Sequence, residues 1–172
     1  MESILFSGPH KPYELVGGVS PYDQQGFRFS RGQDIFTLEE HSHFYGLHLI
    51  AQNLDRPVVL LEFPTKEQFI EEVKKEYPVV GLSFTPFSLS TTLEQCKIIR
   101  QYSPKSKIVI GGYGTMCVER GFPEGAELKD YADHVCRGEG ISFMRKLLGV
   151  PSDRPIKSVL PLCGVRLPWL TS

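Results

Sequence analysis

The chain has 172 residues, of which 41% are hydrophobic, and this is enough material for one ordinary domain with a buried core. Its 19 basic and 20 acidic residues give a net charge of -1, so there is no surplus of positive charge to hold nucleic acid. The amino terminus has neither a basic leader nor a long apolar stretch, and we expect a cytoplasmic protein without a membrane partner.

The first predicted strand, residues 3–7, is a short apolar run that stops at Gly8-Pro9, as a strand entering a turn does. Residues 8–36 have no periodic pattern and predict a long loop. A capping box at 37–40 then begins a helix. The apolar face of this helix recurs at helical spacing: Phe44, Leu47, Ile50, Ala51 and Leu54.

A second buried strand is predicted at residues 57–64, which are apolar and end in proline. Residues 65–68 form a second capping box, and the following helix has Phe69, Ile70, Val73 and Tyr77 on its apolar face. The third predicted strand, 79–87, begins apolar and ends in serine, threonine and proline. The chain thus alternates strands with helices.

The second half continues this alternation. A third capping box at 91–94 predicts a helix with Leu93, Cys96, Ile99 and Tyr102 directed inward. Residues 107–114 and 133–140 are predicted strands that run into glycines, and a last helix covers 141–148. Apolar strands separated by helices predict a doubly wound α/β domain with a five-stranded parallel sheet, of the Rossmann or flavodoxin-like type.

Small and polar residues follow three of these strands: Ser83 and Thr85, Gly111 and Gly112, and residues 138–140. Ligands of open parallel sheets lie at the carboxyl ends of the strands, so these residues predict a broad binding floor. The alternative is purely structural, because such glycines form turns and such hydroxyls cap helices. Glu139 is the best candidate for a functional carboxylate, unless it accepts the first amides of the last helix.

Other motifs give weaker signals. His41, His43 and His48 do not have the three- or four-residue spacing that places metal ligands on one helix face. Gly112 and Gly114 begin a GxG motif without its third glycine, after the fourth strand rather than the first. The four cysteines, at positions 96, 117, 136 and 163, form no CxxC pair, and we expect free thiols.

Residues 1–149 resemble the cobalamin-binding domain that precedes the catalytic barrel in cobalamin-dependent radical S-adenosylmethionine enzymes. The resemblance rests on "FYGLHLIAQNL" at 44–54, "PVVLLEFP" at 57–64, "KIVIGGYGT" at 107–115 and "ADHVCRGEGISFMRKLLG" at 132–149. It implies cobalamin as cofactor, with the nucleotide tail held between the sheet and its loops. The resemblance places the cofactor contacts at Ser83, Phe84, Thr85, Gly111, Gly112, Tyr113, Gly138, Glu139 and Gly140.

The turn after the first strand contains His10, but it lacks the Asp that precedes the cobalt-binding histidine in other cobalamin enzymes. The resemblance therefore implies cobalamin without a protein ligand below the metal, with His10 as the alternative cobalt ligand. Ile141 replaces a second glutamate of the family. Two alternatives therefore stay open: a degenerate domain of the same fold that docks a partner or shapes a substrate site without binding corrinoid, and a nucleotide-binding domain.

Residues 150–172 carry four prolines and an apolar end, and we interpret them either as a linker to another domain or as an extension that folds back as an edge segment on the sheet. The chain lacks the three-cysteine cluster of the radical enzymes, so by itself it is not expected to be catalytic. The resemblance implies a radical S-adenosylmethionine barrel as partner, in a longer chain or in trans. S-adenosylmethionine and a 4Fe-4S cluster would belong to that missing domain.

Overall fold

The computed structural model describes residues 2–11, 44–151 and 153–157, and it places all the strands in one sheet. The strands are β1 (Ile4–Ser7), β2 (Val58–Leu61), β3 (Val79–Ser83), β4 (Lys107–Gly111) and β5 (His134–Val135). They run parallel in the order β2-β1-β3-β4-β5. The predicted doubly wound α/β fold with five parallel strands is confirmed.

Helices cover both faces of this sheet. They are α1 (Tyr45–Gln52), α2 (Lys66–Val73), α3 (Leu89–Tyr102), α4 (Thr115–Glu119), α5 (Pro123–Tyr131) and α6 (Gly140–Leu147). Successive residues of a strand point to opposite faces. Phe6 therefore joins Leu47 and Met144 under α1 and α6, whereas Leu5 packs with Phe69 of α2 and residues of α3 to α5 on the other face.

The second strand is shorter and less buried than predicted. It covers only Val58–Leu61 of the predicted 57–64, and all four residues are half-buried. The reason is its position at the edge of the sheet, where it pairs with β1 alone. The capping box at 65–68 is confirmed, because the Gln68 amide donates to Thr65 Oγ1 at 3.2 Å and the Thr65 amide donates to Gln68 Oε1 at 2.8 Å.

The capping box predicted at 91–94 is wrong. A 3₁₀ turn at Pro86–Ser88 leads directly into α3, so Thr91 and Thr92 lie inside the helix and are buried. Thr92 Oγ1 donates to the Ser88 carbonyl at 2.7 Å, which satisfies the hydroxyl within the helix. Tyr102 was predicted to face inward but is 36% exposed, because it forms the last turn of α3.

Helices α4 and α5 lie in a stretch to which the sequence analysis assigned no element. The third strand also ends at Ser83 rather than at 87, and the fifth contains only two residues. Cys96, Cys117 and Cys136 are free thiols, as expected. The capping box at 37–40, the loop beyond residue 11, Cys163 and the tail from 158 lie outside the described residues.

Candidate cofactor-binding site

A cavity of about 230 Å³ lies between the sheet and helices α1 and α6. It is located at the carboxyl ends of β3 and β4, where open parallel sheets bind their ligands. Apolar side chains form its inner wall, among them Phe6, Leu47, Val109 and Met144. Backbone forms much of the remainder, because six glycines line the cavity: Gly46, Gly81, Gly111, Gly112, Gly138 and Gly140.

Three of these glycines lie in close contact with other groups of the protein itself. A Cβ at Gly112, where φ is +91°, would lie 2.8 Å from the Phe84 carbonyl oxygen. A Cβ at Gly140 would lie 2.5 Å from Ile50 Cδ1, so this glycine lets α6 approach α1. At Gly81 it would lie 2.6 Å from the ring of Phe6. These three glycines need no ligand to explain them.

The other three glycines have room for a Cβ, but the φ of +79° at Gly138 disfavours any side chain there, which leaves Gly46 and Gly111. A Cβ at Gly46, an exposed residue in the first turn of helix α1, would meet no atom of the described residues within 4 Å. A Cβ at Gly111 would meet only Cys136 Cβ, at 3.5 Å, which is ordinary van der Waals contact. Gly46 and Gly111 therefore leave open space in the cavity wall that packing alone does not require.

The structure brings five of the nine predicted contact residues to this cavity: Ser83, Gly111, Gly112, Gly138 and Gly140. Ser83 provides a polar group among the lining residues at the end of β3. Within the described part of the chain, its hydroxyl has no hydrogen-bond partner. A ligand in the cavity would therefore find a hydroxyl that is able to donate or accept.

The other four predicted residues do not line the cavity. Phe84 is buried in the core on the opposite face of the sheet. The Thr85 amide donates to Ser88 Oγ at 3.2 Å, so the polar end of the third strand serves the following 3₁₀ turn. Tyr113 is 83% exposed.

Glu139 has the structural role that the sequence analysis gave as its alternative. Its carboxylate accepts the amides of Ile141 at 2.6 Å and Ser142 at 2.7 Å and thus caps helix α6. Burial alone would raise the pKa of Glu139, but these hydrogen bonds lower it below its ordinary value. The first amides of α6 are thus already occupied by a negative charge.

Cys136 is a lining residue that the sequence analysis did not select. It is half-buried beside Gly111, and its burial, together with the charge of Glu139, raises the pKa of the thiol. A thiol is nucleophilic and binds metals only as the thiolate. At neutral pH this side chain therefore acts as a small apolar wall group.

His10 is buried on the other face of the sheet, at 2% exposure and next to Phe69. Its Nε2 lies 3.0 Å from Glu94 Oε2, within ion-pair distance but without hydrogen-bond alignment, and its Nδ1 lies 3.1 Å from the Lys11 carbonyl oxygen. Glu94 also pairs with Lys66 at 2.5 Å, and Lys66 is the main reason that its pKa is lowered. Both imidazole nitrogens thus face protein groups.

The described residues contain no group of three or more histidine, cysteine, aspartate or glutamate side chains that could hold a metal ion. His48 pairs instead with Glu62, at 3.1 Å. His41 and His43 lie outside the described residues. In residues 2–11, 44–151 and 153–157, no helix is long and apolar enough to cross a membrane.

Only part of the cavity lining could be recognised from the sequence. Gly46 stands inside a helical pattern, where a glycine needs a reason, and it belongs to the segment on which the family resemblance rests. Leu47, Ile50 and Met144 look like ordinary core positions of amphipathic helices, so nothing in their spacing identified them as a cavity wall.

Fold and cavity together define the class: a doubly wound α/β domain with a glycine-walled cavity at the carboxyl end of its parallel sheet. Comparison with models of protein families finds no match, and comparison with curated protein sequences finds none. Membership of the cobalamin-binding family therefore stays a prediction from the sequence.

Proposed function

We propose that the chain is a cytoplasmic cobalamin-binding module of a radical S-adenosylmethionine enzyme. The cavity beside Ser83, Gly46 and Gly111 would hold the nucleotide tail of cobalamin, with the corrin ring outside it. The observation that carries the proposal is the open wall at Gly46 and Gly111, which leaves space that the fold does not need.

The size of the cavity supports this arrangement. Pockets that enclose a whole small ligand usually have about 300–1,000 Å³. The cavity has about 230 Å³, so it accommodates one planar group of a larger ligand rather than the whole molecule. An aromatic base fits a narrow space between a sheet and two helices, because apolar side chains contact its faces and Ser83 is available to its polar edge.

The position of His10 supports cobalamin without a protein ligand below the metal. The imidazole lies between α2 and α3, whereas the cavity lies under α1 and α6. A turn that bound cobalt through His10 would have to remove this buried ring from Phe69 and Glu94.

Cobalamin itself would supply a cobalt centre able to carry a methyl group, and the barrel domain, S-adenosylmethionine and a 4Fe-4S cluster would have to come from a partner.

The second candidate is a domain of the same fold that docks a partner or shapes a substrate site and binds no corrinoid. Aromatic side chains at the carboxyl end of the sheet favour it, since Tyr113 is 83% exposed and Phe87 57% exposed. For a nucleotide-binding domain, the start of α6 is not available as the phosphate site, because the Glu139 carboxylate accepts its first amides.

Cobalamin and cobinamide distinguish these candidates, because cobinamide has the corrin ring but no nucleotide. Purified protein is mixed with either compound, desalted, and examined by visible spectroscopy. The proposal expects retained cobalamin with the spectrum of the base-off form and much weaker retention of cobinamide. A protein that is colourless after desalting from cobalamin contradicts the proposal and leaves the docking domain. Equal retention of both compounds contradicts the placement of the tail in the cavity.

A further inference from the structure

A buried arginine fixes the chain after the last helix. Arg145, in the last turn of α6, is only 3% exposed. Its Nη1 donates to the Arg154 carbonyl at 2.7 Å, and its Nε donates to the Asn53 carbonyl at 3.1 Å. Longer contacts of 3.4 Å and 3.3 Å join Nη2 to the Pro155 carbonyl and to Asn53 Oδ1. Because a buried cation is costly unless it is hydrogen-bonded, these oxygens are essential partners of the guanidinium.

Asn53, at the end of α1, binds the same segment through its amide. Its Oδ1 accepts the Lys157 amide at 2.8 Å, and its Nδ2 donates to the Lys157 carbonyl at 2.8 Å. The side chain thus pairs with both backbone groups of one residue, as a neighbouring β-strand does. A further bond from Nδ2 to the Leu49 carbonyl, at 2.8 Å, holds the amide in this orientation.

We infer that Asn53 and Arg145 form a binding site for peptide backbone, occupied by residues 154–157 of this chain. We call these two residues the clasp. Their contacts to the segment go to main-chain groups, so recognition does not depend on the side chains of the segment. Among the described residues, the segment makes one side-chain ion pair, Arg154 with Asp55, which is about half exposed on both partners and therefore contributes little.

The clasp lies at the end of the sheet where the strands begin, and the cavity lies at the end where they finish. Asn53 follows the end of α1. Four residues later, the Pro57 carbonyl accepts the amide of Ile4, which is the first residue of β1, so this part of the chain lies at the start of the strands. Helix α6 likewise runs from Gly140, which lines the cavity, to Arg145 at the far end. The described residues 154–157 thus pack against the domain, and the chain is held there on the side away from the cavity.

Amide hydrogen exchange in the full-length protein tests the clasp, with the Lys157 amide followed by NMR. Arg145→Met replaces the buried cation with an apolar side chain of similar length, and Asn53→Ala removes the direct partner of the Lys157 amide. Arg154→Ala is the control, since it deletes the surface ion pair and keeps the carbonyl that Arg145 binds. We expect the Lys157 amide to exchange at least about tenfold faster in Arg145→Met and Asn53→Ala, and within about twofold of the wild type in Arg154→Ala.

Three results would overturn the inference. One is exchange of the Lys157 amide in the wild-type protein at the rate of an unstructured peptide. Another is unchanged exchange in Asn53→Ala, a variant in which the guanidinium of Arg145 retains its carbonyl partners at Arg154 and Pro155. The third is exchange of the Lys157 amide in Arg154→Ala as fast as in Arg145→Met, which would mean that the surface ion pair holds the segment.

Discussion

Ser83 and Gly111 are register partners at the carboxyl ends of β3 and β4, and both line the cavity under α1 and α6. The next residue, Gly112, turns the chain so tightly that its Cβ would lie 3.0 Å from Ser83 Oγ. The adjacent glycines therefore have different roles. Gly112 forms the turn, whereas Gly111 leaves space beside Ser83 and Cys136.

Gly112→Ala and Gly111→Ala should separate these roles. We expect Gly112→Ala to lower the free energy of unfolding by about 1–3 kcal/mol, because alanine is strained at positive φ and would contact the Phe84 carbonyl. Gly111→Ala should change it by less than about 1 kcal/mol, since its Cβ has room. Urea unfolding measures both, and equal losses would show that the cavity wall at Gly111 is also fixed by packing.

Glu139 should stabilise helix α6 without contributing to cofactor binding. Glu139→Ala removes both cap hydrogen bonds and should cost about 1 kcal/mol of the free energy of unfolding. Glu139→Ser keeps a capping oxygen and should recover most of this loss. Both variants should retain cobalamin as the wild type does. Loss of cobalamin in the stable Glu139→Ser variant would instead assign this carboxylate to the binding site.

The fold could be predicted from the sequence, because buried parallel strands and amphipathic helices have clear periodic patterns. The prediction of secondary structure was wrong where one sequence pattern is compatible with two local structures. Thr91 and Thr92 resemble a helix cap, but Pro86 begins the turn five residues earlier. Residues 115–131 form two short helices without a strong apolar stripe, so their periodicity gave no signal.

The candidate site was predicted less completely than the fold. Strand ends can be located from the sequence, which is why Ser83, Gly111 and Gly138 were found. Whether a glycine leaves a cavity or permits a contact depends on residues far away in the chain. Gly140 illustrates this, because the Ile50 side chain that requires it lies 90 residues earlier. Arg145 and its carbonyl partners likewise have no recognisable motif.

Asp133 should make stability depend on pH. Its Oδ2 accepts the Ile108 amide at 2.6 Å and pairs with Arg100 at 2.9 Å. Burial alone would raise the pKa of Asp133, but these partners lower it below the ordinary value of 3.8. A carboxyl with a lowered pKa stabilises the folded state fully above about pH 5, and this stabilisation is lost as the pH falls through 3.8 to the folded-state pKa.

Asp133→Asn should therefore lower the free energy of unfolding by about 1 kcal/mol at pH 7, with a smaller difference from the wild type at pH 3. Urea unfolding at the two pH values tests this expectation. Asp130→Asn, at an exposed position of α5, is the matched control and should have little effect. A difference between Asp133→Asn and the wild type that is the same at both pH values would contradict an electrostatic role for Asp133.

If the space beside Gly46 holds part of a cobalamin molecule, a side chain placed there must weaken binding, and the dissociation constant of hydroxocobalamin in a matched pair of variants measures this. Gly46→Leu adds a side chain to the cavity lining from helix α1, whereas Gln52→Leu places the same side chain at an exposed position of that helix outside the lining. We predict binding by the wild type and by Gln52→Leu, and at least about tenfold weaker binding by a folded Gly46→Leu protein. Equal affinity in Gly46→Leu and Gln52→Leu would contradict binding of cobalamin beside Gly46, and no binding by the wild type would contradict the cobalamin function itself.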